Sequence, residues 1–370
     1  MTSSPMQHDL ETQIARRMAG KVPGLSVAVV RPDGIRWTKG FGFANLAAGV
    51  PATPKTVYAW FSMTKIVTAT AVMQLTERGL LGLDDPVAQH YAPFASLHPT
   101  ERAERATVGH LLSHSAGLAN PIPIKWVHLA DQPAPDSHAF LRDLLAKHPK
   151  LQFRPGAKAS YSNIGFLVLG EIIESASGRP YREYIRENIL EPLDMRHTGF
   201  VHTDEMDILA ATGYQRRRSA MTLLMKLMLP RGVMDGTEGE FVAFNRFYVD
   251  GAAYGGLVGS ITDAARFVQA HLAGGRFDGR RILSPTSAAR MRDINTPGRK
   301  YDLGLGWYRP HSARGYEPSF AEHLGGGGGF WNCMRVYPDA SLGVVVMGNA
   351  TSYDHETIVR ALAEYWWREP

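Results

Sequence analysis

The chain is almost without cysteine. Cys333 is the only one in 370 residues, so no disulfide can close within it, and a reducing compartment fits that usage. Long apolar runs are missing too. None approaches the roughly 18 residues of a membrane span. The start, MTSSPMQHDLETQIARRMAGK, lacks a charged segment followed by an apolar one, and reads as a polar lead and a short amphipathic helix, not an export signal. Together these absences give the expectation of a cytoplasmic protein. An excess of one charge is also lacking. Forty basic against 35 acidic residues leave +5, which makes no case for nucleic acid. No serine has glycines at both positions of Gly-x-Ser-x-Gly, which disfavours an α/β-hydrolase. His110 and His114 stand four apart, but no glutamate follows His110 and no third ligand is apparent, so no metal and no cofactor is expected.

What is present points to a segregated α+β fold. GLSVAVV and IRWTKGFGFAN, joined by PDG, read as two strands. LGLGWYR, GGFWNCMRVYPD and SLGVVVMGN near the other end read as three more, closed by a helix HETIVRALAEYWW. Between them the pattern is helical, with Ser or Thr caps and glycine stops. The simplest packing joins the two ends, residues 1–61 and 295–370, in one antiparallel sheet flanked by the terminal helices. Residues 62–294 then form a mainly helical lobe, with a site between the two.

Three short motifs carry chemistry. Ser62-Met63-Thr64-Lys65 stands where VYAWF gives way to an apolar helix. Residues three apart share a helical face, so the Lys65 amine can reach the Ser62 hydroxyl. Burial would lower the lysine pKa toward a range where a neutral amine can share a proton. A helix N-terminus favours a developing oxyanion. The bland alternative is a capping serine with a lysine that snorkels to water; in a chain with 20 serines and 10 lysines, chance alone gives about half an instance of this spacing. Tyr161-Ser162-Asn163 precedes another helix. A tyrosine near a cationic lysine ionises more easily and can serve as a base, and an asparagine amide can orient a carbonyl. His323-Leu324-Gly325 leads into five glycines, Gly325 to Gly329, which let a substrate lie against backbone and make the Gly326 N–H a second oxyanion donor. A second His-x-Gly occurs at His197, and a flexible hairpin loop is the bland reading of the glycines.

In order, spacing and context, SMTK, YSN and HLG resemble the serine β-lactamase/penicillin-binding-protein superfamily. The likeness is to its class C-like members: class C β-lactamases, D-aminopeptidases, D-alanyl-D-alanine carboxypeptidases and family VIII carboxylesterases. Connecting stretches such as LDDPVAQHYAPF, ATVGHLLSHSAGL, FRPGAKASYSNIGFLVLGEIIE and GGLVGSITDAARF are similar as well, so the likeness runs from about residue 10 to 365. The resemblance implies Ser62 as the acylated nucleophile, Lys65 as its activator and Tyr161 as the base that relays a proton to the leaving group. It implies Asn163 as a substrate-orienting amide and the Ser62 and Gly326 amides as the oxyanion hole. The substrate class implied is a small-molecule ester or amide.

The third motif departs from the family's Lys-Thr-Gly. His323 is mostly neutral near pH 7 and Leu324 has no hydroxyl, so carboxylate recognition is expected to weaken and neutral esters to suit the site better. Esterase action is therefore the leading expectation. A D-amino-acid amidase or peptidase, a weak β-lactamase, or an acyltransferase on the same machinery stays open. Trp331 and the aromatics of EFVAFNRFYVDGAAYGG are candidates to line the pocket. QRRRSAMTLLMKLMLPRG, residues 215–232, is the least family-like stretch. A lid, an acyl-binding wall, a homodimer contact and an ordinary buried helix are all open to it.

Overall fold

A computed structural model describes residues 5–97, 105–313, 315 and 318–367. The described residues place eight strands in one antiparallel sheet: β1 (Gly24–Arg31), β2 (Gly34–Asn45), β3 (Val50–Pro51), β4 (Tyr301–Leu303), β5 (Tyr308–Pro310), β6 (Ala321–Gly327), β7 (Phe330–Tyr337) and β8 (Leu342–Gly348). Their order is β4-β5-β6-β7-β8-β1-β2-β3, so the two ends of the chain meet at the β8–β1 pair. Val27 faces Val346 there, and Val29 faces Val344. LGLGWYR is not one strand. It splits into β4 and β5 around a turn at residues 304–307, where Gly306 takes φ 86°.

Side chains alternate across the sheet, and each face has its own cover. Leu25, Val27 and Val29 of β1, with Val344 and Val346 of β8, pack on helices α1 (Pro5–Met18) and α6 (His355–Trp367) through Leu10, Ile14, Ile358 and Leu362. Ala28, Val30, Val345 and Met347 face the other way, into a core that also holds α5 (Ile261–Leu272) and the helices beyond it. This is why GLSVAVV and SLGVVVMGN are apolar nearly throughout: both faces are covered. α5 comes from the middle of the chain, yet it covers the inner face of the sheet, and one apolar cluster runs from the sheet into the helices.

Two helices start at the motifs. α2 (Thr64–Glu77) is buried all round and ends at Arg78, with Gly79 at φ 69°. Its threonines satisfy themselves on nearby carbonyls, Thr70 on Ile66 and Thr68 on Ala253. α3 (Asn163–Ser177) is capped by the Ser162 hydroxyl, which accepts from the Gly165 N–H, and stops at Gly178 in a left-handed conformation. The segment 215–232 contains a two-turn helix, α4 (Ala220–Met228), capped by Ser219. Only Thr222 and Met225 of it are buried, so it is not an ordinary core helix.

Candidate functional site

The short strand Val57–Ala59 delivers the chain to Trp60, and a single 3₁₀ turn, Phe61–Met63, precedes α2. Phe61 has φ 47°, a left-handed conformation that costs a bulky residue about 1–3 kcal/mol. Its surroundings hold it there: the ring lies 6.2 Å from that of Phe247 and 6.4 Å from that of Phe330. Ser62 sits at the middle of this strained turn. It does not cap α2, whose N-terminus has no side-chain cap, so the capping alternative is ruled out.

Lys65 does not snorkel either. It is 0% exposed. Its Nζ lies 3.1 Å from Ser62 Oγ and donates to the Tyr254 carbonyl at 2.7 Å. The rings of Tyr161, Tyr254 and Phe166 surround it at 4.9, 5.1 and 5.6 Å. No carboxylate among the described residues pairs with it, and desolvation pushes its pKa well below the usual lysine value.

Tyr161 stacks on His114, with ring centroids 4.4 Å apart and planes at 28°. His114 also holds the backbone on both sides of the tyrosine. Its carbonyl accepts from the Ser160 N–H at 2.8 Å, and its Nδ1 accepts from the Ser162 N–H at 3.1 Å. One expectation is corrected here. Burial raises the Tyr161 phenol far above its ordinary value, more than hydrogen bonding to Ser62 lowers it. At rest the group is a phenol, not a phenolate eased into being by Lys65.

His323 lies on the same side of the sheet, its ring 6.1 Å from Tyr161 and 4.9 Å from Tyr308. Burial and, secondarily, Lys65 push its pKa down to about 3, so it is neutral. Leu324 alternates to the face of Glu322, where it packs against the outer cluster and against Tyr301 and Tyr308 at the sheet edge. It does not line the cavity at Ser62, so its missing hydroxyl is not a group of that cavity, which corrects half of the argument drawn from the third motif. The glycine run is not a flexible loop: Gly325 to Gly327 belong to β6, and the last two make its turn to β7. A Cβ on Gly325 would meet the Trp60 carbonyl oxygen at 2.0 Å, and one on Gly326 the Trp331 ring at 2.4 Å. Glycine is what lets β6 lie against the backbone just before Ser62.

A cavity of 320 Å³ opens at Ser62. Of the substrate-binding candidates, Asn163, Gly326 and Trp331 line it and His323 and Gly325 do not; Phe247 and Tyr254 join from the aromatic stretch. Asn163 Oδ1 is buried without a hydrogen-bond partner. Met221 and Met225 of α4, with Ile122 and Ile124, form the outer wall. No charged side chain among the described residues lines this cavity. His110 and His114 do not converge: His110 closes a capping box with Thr107. The group among the described residues whose donor atoms do converge is His138, Glu171 and Glu174, and its members already bond one another.

Sequence reasoning missed His114 as a positioning residue and Tyr254 as a Lys65 acceptor. The first has a signal, since LLSHSAGL offers a buried histidine. The second acts through its carbonyl oxygen, which no side-chain pattern shows.

The Beta-lactamase family model matches residues 10–364. Protein flp of Staphylococcus aureus (strain MW2) is 29% identical over 216 residues, 58% of this chain; the match spans 41% of that protein, less than half of its length. The D-alanyl-D-alanine-carboxypeptidase/endopeptidase AmpH of Escherichia coli K12 is 26% identical over 294 residues, 77% of this chain and 69% of that one. Among solved structures, the octameric penicillin-binding protein homologue from Pyrococcus abyssi superposes with a TM-score of 0.74 at 30% identity, covering 97% of this chain and 77% of that one. A β-lactamase/D-alanine carboxypeptidase from Pseudomonas syringae, at 20% identity and TM-score 0.75 over 99% of this chain and all of that one, shares the fold. The chain belongs to the beta-lactamase family, within the serine β-lactamase/penicillin-binding-protein superfamily of serine hydrolases.

Proposed function

We propose that the chain is a carboxylesterase that acts through an acyl-enzyme on Ser62. The observation that carries this reading is the cavity at Ser62: it is walled by methionine, isoleucine and aromatic side chains, and no cation among the described residues lines it. A substrate carboxylate would find no charge-assisted partner among the described residues there, since none of those lining the cavity is charged and the imidazole of His323, buried outside the lining, is neutral. A neutral ester with an apolar acyl group loses nothing on entering.

Lys65, held as a neutral amine by burial, is the resting base. Ser62 Oγ attacks the ester carbonyl carbon while its proton passes to Lys65 Nζ. The Ser62 and Gly326 N–H groups take the oxyanion. When the tetrahedral intermediate collapses, the Tyr161 phenol protonates the departing alkoxide and Lys65 returns a proton to Tyr161. A water molecule then repeats the sequence on the acyl carbon and frees the acid. Asn163, with an unpartnered oxygen in the cavity wall, orients the substrate.

That same oxygen, with the relative AmpH, favours a second reading. Asn163 Oδ1 can accept from a substrate amide N–H, which an ester lacks, so a D-alanyl amidase or peptidase on the same serine is the runner-up. A substrate comparison separates the two. p-Nitrophenyl butyrate is expected to exceed a chromogenic cephalosporin and D-alanyl p-nitroanilide in kcat/KM by at least about 10², or roughly 2.7 kcal/mol of transition-state stabilisation. Equal or faster turnover of the anilide would replace the esterase by the peptidase.

A further inference from the structure

α4 turns one face toward the Ser62 cavity and another to solvent. Met221 and Met225 belong to the inner side. Leu223, Leu224 and Leu227, spaced i, i+1, i+4, share the outer face, and Leu223 and Leu227 are 67% and 76% exposed. Ile122, 75% exposed, sits on the facing rim of the same cavity. Met221 and Ile122 stand at the mouth and the three leucines on the outer face of the same helix, five exposed large apolar side chains in all, which is more than scattered surface leucines require.

Cations frame this patch. Residues 215–232 hold Arg216, Arg217, Arg218, Lys226 and Arg231 and not one acid. All five are exposed, and none of them makes an ion pair among the described residues. Lys125, also exposed, stands beside Ile124 on the other rim. A second copy of the chain is a poor occupant. In a two-fold interface the patch would meet itself and bring the five cations of each copy together, against only three acids of the adjoining hairpin, Asp235, Glu238 and Glu240, the last bonded through its carbonyl to the Arg217 N–H. An anionic lipid surface fits both halves, since leucines can enter the acyl boundary while arginines and lysine stay at the headgroups.

We propose that the outer face of α4, with its flanking basic residues, docks the protein on an anionic membrane surface. The mouth of the Ser62 cavity then opens at the lipid boundary, where apolar substrates concentrate. The docking is independent of the esterase reading, because it can be measured without any turnover.

The test is co-sedimentation of the full chain with extruded vesicles. One set is phosphatidylcholine alone, and the other carries about 30 mol% phosphatidylglycerol to give the negative surface potential. Binding is expected to the anionic set, and release at about 1 M NaCl, where the screening length falls to roughly 3 Å. Leu223→Ser with Leu227→Ser, and separately Arg217→Ala with Arg218→Ala, are each expected to lower the bound-to-free ratio by about tenfold or more. These side chains lie outside the cavity lining, so an unchanged thermal midpoint checks that the variants fold. Failure to bind anionic vesicles, equal binding to phosphatidylcholine alone, or variants that bind like wild type would overturn the proposal. So would a wild-type oligomer that the leucine variant turns into a monomer, since the patch would then be a subunit contact.

Discussion

Replacing Lys65 by methionine keeps most of the side-chain volume and removes only the amine. Because that amine is buried with no carboxylate beside it among the described residues, its removal relieves a desolvation cost. Lys65→Met is therefore expected to stabilise the fold by about 1 kcal/mol or more in urea titrations while lowering kcat by a factor on the order of 10² or more. A variant that is active, or one that is clearly less stable, would make Lys65 an ordinary core residue. Tyr161→Phe removes only the phenolic oxygen and is expected to lower kcat by a similar factor, about 10², with little change in stability. The acid limb of kcat/KM should follow Lys65, whose charged form cannot accept the Ser62 proton. His323 titrates near 3, so His323→Asn should leave the position of that limb unchanged. A limb that moves with His323 would assign the base wrongly.

At the scale of elements, the approach of β6 to the turn before α2 sets the geometry. Gly325→Ala places a methyl 2.0 Å from the Trp60 carbonyl, and neither backbone can yield cheaply. A loss of about 1–3 kcal/mol in stability is expected, with kcat reduced more than KM is raised, since the turn bearing Ser62 would shift. Leu324→Thr, by contrast, should leave the ester-to-lactam ratio where it is, because that side chain faces away from Ser62. This element shows what the sequence made legible. The motifs, the start of α3 and the antiparallel sheet all follow from local patterning. The face of Leu324 was legible as well, through the period of two along a strand, but the family's third motif drew attention to residue type instead of direction. The capping role of Ser62 could be settled only by the 3₁₀ turn, which depends on the positive φ of Phe61 and on the β6 glycines more than 260 residues away in the chain.

Across the whole molecule, burial of neutral imidazoles ties stability to pH. Desolvation lowers His323 and His271 to about 3 and His202 to about 4. Each binds a proton in the unfolded chain below about pH 6.5 but not in the folded one until pH falls much further. Stability is thus fully present above about 6.5 and declines as pH drops toward 4, with a slope of up to about 1.4 kcal/mol per pH unit for each group. Urea midpoints at pH 7 and pH 5 should show the decline, and a higher midpoint at pH 5 would contradict it. On the outer face of the sheet, Arg335 donates to Glu322 at 2.6 Å and also pairs with Glu356 of α6. Arg335→Leu strands a buried carboxylate and is expected to cost about 3–5 kcal/mol, much of it recovered by adding Glu322→Leu. This pairing was not legible in the sequence, because nothing local marks a buried arginine in a strand.

Acylation of Ser62 forms one covalent bond. Rapid quenching of the enzyme with an excess of p-nitrophenyl butyrate, followed by intact-mass and peptide analysis, reads it directly. A single butyryl addition on the peptide carrying Ser62, absent from Ser62→Ala, is the expected result. Turnover of the ester by the Ser62→Ala variant at the wild-type rate, or acylation at Ser113, Ser162 or Ser260 in place of Ser62, would contradict it.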